Sequence, residues 1–360
     1  MLDLAKTTES FAAAASPIRV MIVDDSAIVR GLIIQMLEKH PDIQIVARAA
    51  NGEVAVAELG RAEIDVIVLD LEMPVMDGMT ALPLLLAKRP GVQIVVASTL
   101  SKRNARISLE ALQQGAADYV PKPETGGLVN AQEFERELVS KVMALGRRGG
   151  ARTQSSSLAP VATAPRRTST VRPGIIAIGG STGAPPVLLQ VMAGLKDSVT
   201  QPILITQHMP ATFTALLAEQ LERAGGRPCA EGKDGEPILP GRAYVAPGGW
   251  HMTVGRSGVT PVIRLNQDEP EHFCRPAVDP MLRSAAAVYG NRLLAVILTG
   301  MGADGAEGCR IAAQAGGRFA VQDEASSAVW GMPGAAANTG LAEAILPAQQ
   351  IANWIKEIAK

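Results

Sequence analysis

Three side chains in the second half of this 360-residue chain have the types and settings that a serine nucleophile requires. Ser181 lies in a G-x-S-x-G pattern formed with Gly179 and Gly183, directly after the apolar run at residues 175–178. Glycines there let a strand turn tightly into a helix and leave the hydroxyl exposed. A hydroxyl becomes nucleophilic beside a base that a third group holds in place. His208 follows the apolar run "PILIT" and so stands at a strand end. His40 instead closes an amphipathic helix in the other half, while His251 and His272 lie in loops, where substrate contact or solvation accounts for them. His208 is therefore the expected base. Asp304, in "TGMGADG" after "LLAVIL", is the expected carboxylate that orients it.

The loop carrying Asp304 has a second reading. Gly300, Gly302 and Gly305 spell G-x-G-x-x-G after an apolar strand, and Asp323 follows at the distance of a ribose-binding acid, the signature of a dinucleotide site. A carboxylate inside that turn repels a pyrophosphate. With Asp304 turned to an imidazole, the same glycines expose backbone N–H groups that stabilise an oxyanion. The purely structural alternative makes Asp304 the N-cap of the helix beginning "GAEGCRIAAQ".

The first half carries a different chemistry. Asp24 and Asp25 end its first apolar run, Asp70 the third, Ser98 the fourth and Lys122 the fifth. Carboxylates crowded at the switch point of a doubly wound sheet repel one another unless a cation joins them, and hard oxygen ligands suit Mg²⁺. A carboxylate beside that ion and a lysine is a plausible phosphoryl acceptor, and Asp70 is the expected one. The plainer reading of single strand-end groups such as Asp25 or Ser26 is that they cap the following helices.

Both sets depend on strands that deliver them to one sheet edge. In the first half, "RVMIVDD", "QIVARA", "DVIVLD", "VQIVVAS" and "DYVPKP" alternate with segments of helical spacing such as "IVRGLIIQMLEKH". Five such alternations predict a parallel sheet covered on both faces. In the second half, "GIIAIGGS", "PILITQH", "AYVAP", "LLAVILTGMG" and "RFAVQDE" predict another α/β layer structure, with "MTVG" and "TPVIRL" as an appended hairpin. Between them, residues 138–196 contain no acid, and "GRRGGARTQSSSLAPVATAPRRTSTVRPG" is too poor in large apolar groups to pack. The expected division is residues 17–140, a flexible linker at 141–173, and residues 174–360.

The totals narrow the class. Lys and Arg number 34 against 35 Asp and Glu, so the overall basic bias of a nucleic-acid binder is missing. Cys229, Cys274 and Cys309 are odd in number and widely spaced, which suggests neither a disulfide framework nor a structural zinc site and favours the cytoplasm. The first twenty residues make a poor signal peptide, and no uncharged apolar stretch reaches the eighteen or so residues that span a bilayer.

"VDDSAIVR", "LDLEMPVMDG", "VVAS" and "YVPKP", in this order, resemble the receiver domain of two-component response regulators. The resemblance implies a flavodoxin-like sheet of order 2-1-3-4-5 and phosphorylation of Asp70 by a histidine kinase. It implies Mg²⁺ held by Asp25, Asp70 and the backbone carbonyl of Glu72, with Asp24 in support. It also makes Ser98 and Lys122 the sensors of the phosphoryl group and predicts a cis bond before Pro123.

"AIGGSTGAP", "ITQHMP", "LPGRAYVAPGGWHM", "CRPAVDPML", "VILTGMGADGAEG" and "QDEASSAVWGMP" resemble the catalytic domain of the chemotaxis protein-glutamate methylesterases, the CheB family. That resemblance implies a triad of Ser181, His208 and Asp304, with the backbone N–H of Met301 as oxyanion donor and no cofactor for ester hydrolysis. The substrates it implies are methylated glutamates of chemoreceptors, with deamidation of glutamines as a natural second activity. Ala184 departs from the pattern, which commonly has a second glycine there, and its methyl is expected to narrow the site. Asp279 before Pro280 reads as a helix N-cap with Pro at the first helical position. From domain order and likeness, the unphosphorylated receiver is expected to dock over the Ser181 cleft. The rival readings are a nicotinamide nucleotide site at "GMGADG" and a receiver module without chemistry.

Overall fold

The structure, a computed structural model, describes residues 16–99, 101–122, 128–150, 171–196 and 198–360. The expected cis bond before Pro123 lies outside these residues.

The first unit alternates strands and helices: β1 (Ile18–Val23), α1 (Ala27–Glu38), β2 (Ile43–Ala49), α2 (Gly52–Glu58), β3 (Val66–Asp70), α3 (Gly78–Lys88), β4 (Gln93–Ser98), α4 (Lys102–Gln113), β5 (Asp118–Pro121) and α5 (Leu128–Gly150). The strands form one parallel sheet of order β2-β1-β3-β4-β5. β3 is buried along its whole length because helices cover both faces, which is why it reads as a continuous apolar run. Polar side chains start the helices: Ser26, Asn51, Asp77 and Ser101 each accept a hydrogen bond from the backbone N–H three residues on.

The expected boundary after residue 140 falls inside α5. Val142 and Leu145 continue the helical spacing of Leu138 and are fully buried in the same apolar cluster as Val20 and Ile22. The acid-free composition that suggested a linker from residue 141 therefore begins within a packed helix, because polarity of a stretch and burial of one of its faces are independent.

The second unit comprises β6 (Ile175–Gly180), α6 (Ala184–Leu195), β7 (Ile203–Gln207), α7 (Ala211–Gly225), β8 (Cys229–Glu231), β9 (Ala243–Val245), β10 (His251–Ser257), β11 (Thr260–Asn266), α8 (Val278–Tyr289), β12 (Leu293–Ile297), α9 (Ala306–Gln314), β13 (Arg318–Gln322), α10 (Met332–Ala337), β14 (Ala344–Leu346) and α11 (Ala348–Ala359). Seven strands form a parallel sheet of order β14-β13-β12-β6-β7-β9-β8, and β10 and β11 form the expected antiparallel hairpin. From β6 the chain builds outward through β7, then returns to the other side at β12. Ligands of open α/β sheets bind at such a reversal, beyond the strands' carboxyl ends.

The two units touch there. The Tyr119 ring, at the end of the first sheet, stacks on Phe213 of α7 with centroids 4.2 Å apart. The Arg136 guanidinium of α5 lies 5.0 Å from the centre of the Phe273 ring.

Candidate active site

Ser181, His208 and Asp304 follow β6, β7 and β12, three neighbouring strands at the reversal. Ser181 is fixed by its backbone: its N–H donates to Thr299 O, and its carbonyl accepts from Gln207 Nε2 and Ala184 N. Two glycines make this turn possible. Gly183 adopts φ 75°, a left-handed conformation, and starts α6. At Gly300 a Cβ would lie 2.8 Å from Ser181 Cβ, so only glycine lets the β12 loop approach the serine so closely.

His208 Nε2 lies 2.7 Å from Asp304 Oδ2. The carboxylate is buried and fully engaged, because Oδ2 also accepts Val278 N and Oδ1 accepts Asp279 N. Asp304 thus binds the first N–H groups of α8, where the helix dipole favours negative charge. Burial works against its ionisation, but the bonds to His208, Val278 and Asp279 prevail and hold its carboxyl below the ordinary carboxylate range. The N-cap alternative for Asp304 assigned it to the wrong helix: α9 starts at Gly305 with no side-chain cap. A loop whose carboxylate is spent on an imidazole and on another helix has no place for a pyrophosphate, which removes the dinucleotide reading.

The other ring nitrogen of His208, Nδ1, meets Cys274 Sγ at 3.4 Å. Burial opposes charge on the ring, but the hydrogen bonds to Asp304 and Cys274 push its pKa up to about 10. Ser181, His208, Cys274 and Met301 line one cavity of about 470 Å³. The Met301 N–H has no acceptor among the described residues and so is free to serve an oxyanion. Residues of the first unit, among them Tyr119, Arg136 and Lys141, line the same cavity.

The remaining candidates separate. His251 is buried, with Nδ1 accepting Ala277 N and Nε2 at Glu269 O, a structural histidine. His272 Nε2 lies 3.0 Å from Asp279 Oδ2. Asp279 is not the N-cap expected of it. α8 is preceded by Ala277, and Asp279 is buried in the first turn, where Oδ1 accepts Gly308 N and ties α9 to α8. Ala184 does not narrow the cleft: its side chain is fully buried with Leu188 in the core beneath the turn. Cys274, Gln207 and Thr299 lie inside stretches that carry the family resemblance, but their residue types and spacing alone do not mark them as supports of the site.

In the first unit, the carboxylates of Asp24, Asp25 and Asp70 lie within 4.8 Å of one another. Lys122 Nζ bonds Asp24 Oδ2 at 2.6 Å and Asp70 Oδ2 at 2.9 Å. Burial raises the Asp70 carboxyl above its ordinary value; Lys122 opposes this and Asp24 adds to it. One ammonium among three carboxylates leaves negative charge uncompensated, and the donor set is all oxygen, so these residues fit a hard divalent cation. Ser98 is not directed at Asp70; its Oγ is 2.6 Å from Ser108 Oγ. The Glu72 N–H faces Asp70 Oδ1 at 3.5 Å, and its side chain accepts from Asn104.

Residues 176–355 match the CheB methylesterase family, and residues 20–131 match the response regulator receiver domain family. A protein-glutamate methylesterase/protein-glutamine glutaminase of group 2 operon from Rhodospirillum centenum is 53% identical over 375 residues, covering 96% of this chain and 95% of its own. The protein-glutamate methylesterase/protein-glutamine glutaminase of Azospirillum brasilense is 52% identical over 371 residues, covering 97% and 94% respectively. The crystal structure of the Thermotoga maritima CheB methylesterase catalytic domain is 36% identical, with a TM-score of 0.50, and covers 52% of this chain and 99% of that one. Among the described residues no helix is long and apolar enough to cross a membrane. From the serine turn, the aspartate-held histidine and these matches together, we conclude that this chain belongs to the CheB methylesterase family and carries a response regulator receiver domain ahead of the catalytic one.

Proposed function

We propose that this chain is a phosphorylation-activated serine esterase that hydrolyses glutamate γ-methyl esters on chemoreceptors to glutamate and methanol. The observation that carries this reading is the 2.7 Å bond between His208 Nε2 and Asp304 Oδ2 in the cavity that also holds Ser181. Asp304 fixes the ring and favours its charged form, so Nδ1 is the nitrogen that takes the Ser181 proton. That nitrogen must first leave Cys274. Ser181 Oγ then attacks the ester carbonyl, the Met301 N–H steadies the oxyanion, and His208 returns the proton to the departing methoxide. Water attacks the acyl-enzyme with His208 again as base, giving glutamate and free Ser181. A glutamine presents the same carbonyl with ammonia as leaving group, which supports deamidation as a second activity.

Control lies in residues 17–150 on this reading, with the described α5 closing that unit and residues 174–360 forming the catalytic one. Asp70 accepts a phosphoryl group from a chemotaxis histidine kinase. Asp25, Asp70 and the Glu72 carbonyl, supported by Asp24, would hold Mg²⁺, which when bound supplies positive charge to the phosphoryl oxygens. Lys122 neutralises further charge, and Ser98 leaves Ser108 to meet the phosphoryl group. The cavity walls contributed by Tyr119, Arg136 and Lys141 support occlusion of Ser181 in the unphosphorylated state. The protein acts in the cytoplasm, on the receptor's cytoplasmic face, without entering the bilayer or binding nucleic acid.

The test is methanol release from methylated receptor fragments by wild type and Ser181→Ala, with and without Mg²⁺ and a small phosphodonor. Release that rises with phosphodonor and vanishes in Ser181→Ala is the expected result. Equal release by both proteins would remove Ser181 from its role.

A further inference from the structure

The imidazole at the centre of this site has two nitrogens and both are occupied, one by Asp304 and one by Cys274. Cys274 therefore stands at the position the serine hydroxyl needs, bonded to a base that a carboxylate supports. A thiol in that setting has the arrangement that activates a nucleophile. It is delivered there by strained backbone: His272 and Phe273, immediately before it, adopt φ of 53° and 61°, left-handed values uncommon for non-glycine residues. Cys274 is half-buried and opens on the 470 Å³ cavity, whereas Cys229 and Cys309 are buried in the core. Thr182, which lines the cavity, is 2% exposed, and its Oγ1 has no hydrogen-bonding partner among the described residues.

We propose that Cys274 is a second nucleophile of this cleft, a thiol that shares His208 with Ser181, reacts with hydroperoxides, and in its oxidised form stops the serine reaction. In molecules whose His208 ring is uncharged, Sγ attacks the terminal oxygen of the peroxide while its proton is taken at His208 Nδ1. The S–O bond forms as the O–O bond breaks, the sulfur loses two electrons to the peroxide, and the departing alkoxide or hydroxide takes the proton from Nδ1. The products are a sulfenic acid and an alcohol or water. The sulfenic oxygen then lies between Sγ and Nδ1, and the proton of Ser181 has no acceptor. A thiol reductant reverses the block. The reactivity of the thiol stands on the geometry alone; its effect on turnover rests on the esterase reading.

The experiment treats the full-length protein with hydrogen peroxide and a sulfenic-acid-trapping dione, reads labelling at the three cysteines by mass spectrometry, and follows methanol release in parallel. Labelling of Cys274 is expected to run roughly tenfold or more faster than that of glutathione at the same pH and to slow by about as much in His208→Gln. Cys229 and Cys309 stay unlabelled. In wild type, peroxide without the trap lowers methanol release in step with oxidation, and dithiothreitol restores it; in Cys274→Ser the ratio of treated to untreated release stays near one. Labelling no faster than glutathione overturns the proposal, as does a Cys274 that is oxidised while release is unchanged. Inactivation of Cys274→Ser to the same degree as wild type also overturns it. If untreated wild type releases no methanol, the esterase reading has failed, and the labelling rates in wild type and His208→Gln still decide whether the thiol is a histidine-coupled nucleophile.

Discussion

The ring of Tyr119 lies on the ring of Phe213 with planes 15° apart, so the receiver sheet ends in a flat contact against the helix that follows His208. Both rings are buried. Removing either one disturbs the packing of its own unit as well as the contact between units. A cleaner probe of docking is Arg136, which lies over the exposed Phe273 ring at the mouth of the cavity. An exposed contact of this kind is worth about 0.5–1 kcal/mol, which shifts the docked population by roughly two- to fivefold. Arg136→Ala is expected to raise methanol release without phosphodonor by that factor and to leave the fully activated rate alone. An unchanged basal rate would mean that this contact does not hold the units together.

Asp304→Asn keeps the volume of the side chain and removes its charge. The ring then loses the partner that sets its tautomer, and by analogy with serine hydrolases kcat falls by roughly 10³–10⁴. Steady-state kinetics on a methylated receptor fragment decide it. A loss below tenfold would show that another group orients His208.

The acid–base behaviour of His208 gives a signed expectation. Burial lowers the pKa of the ring, yet Asp304 and Cys274 outweigh it and carry the value from 6.5 to about 10. The charged ring therefore stabilises the fold fully below about pH 6.5, and that contribution is lost as pH rises through about 10. Catalysis needs the uncharged ring, so kcat/KM is expected to climb from neutral pH toward alkaline pH. Cys274→Ala removes one of the two partners that favour charge and moves the rising limb to lower pH. A limb that stays in place would mean that Asp304 alone sets it.

Gly300→Ala tests the close approach of two loops. The new methyl would lie 2.4 Å from Met332 Sδ and 2.8 Å from Ser181 Cβ, so one of them must shift. Overpacking of this kind destabilises by about 1–3 kcal/mol, and displacement of a nucleophile by about 1 Å lowers turnover by roughly 100-fold. Thermal unfolding and methanol release together report it; full activity would show that the serine turn yields without penalty.

In the receiver, the raised Asp70 carboxyl means that its ionised form is disfavoured in the fold, a penalty that is absent at low pH and grows as pH rises through its pKa. Bound beside Asp70, Mg²⁺ would relieve that penalty. It is expected to raise the Tm of wild type at neutral pH and to raise that of Asp70→Asn much less, while Asp70→Asn also loses stimulation by phosphodonor. Equal metal-induced shifts in both proteins would place the ion away from Asp70.

Much of this architecture was legible because its strands are buried on both faces. β3 and β6 read as unbroken apolar runs, and the groups that follow such runs reach one edge of the sheet. That logic places Ser181, His208 and Asp304 at one sheet edge, and they follow the neighbouring strands β6, β7 and β12. It could not find β8 and β14, three-residue edge strands whose pairing supplies the order that their own sequences lack. Nor could it assign partners formed across the fold: Asp304 and Asp279 each bind the backbone of a helix other than the one their local sequence suggested. In the sequence Cys274 is a single thiol with no nearby partner, and its contact with His208 comes from a loop 66 residues away. In α5 the apolar stripe of Leu138, Val142 and Leu145 was present in the sequence but masked by the basic, acid-free composition around it.

The double engagement of Asp304 bears on how an inert form of this enzyme is best made. Its carboxylate secures α8 as well as the imidazole, so replacing it loosens the wall of the cavity along with the chemistry. Ser181 is anchored by its main chain, through Thr299, Gln207 and Ala184, and its hydroxyl has no hydrogen-bonding partner among the described residues. On the proposed reading, a bait for capturing receptor segments from solution is therefore best built at Ser181, where the surrounding fold is expected to survive the loss of turnover.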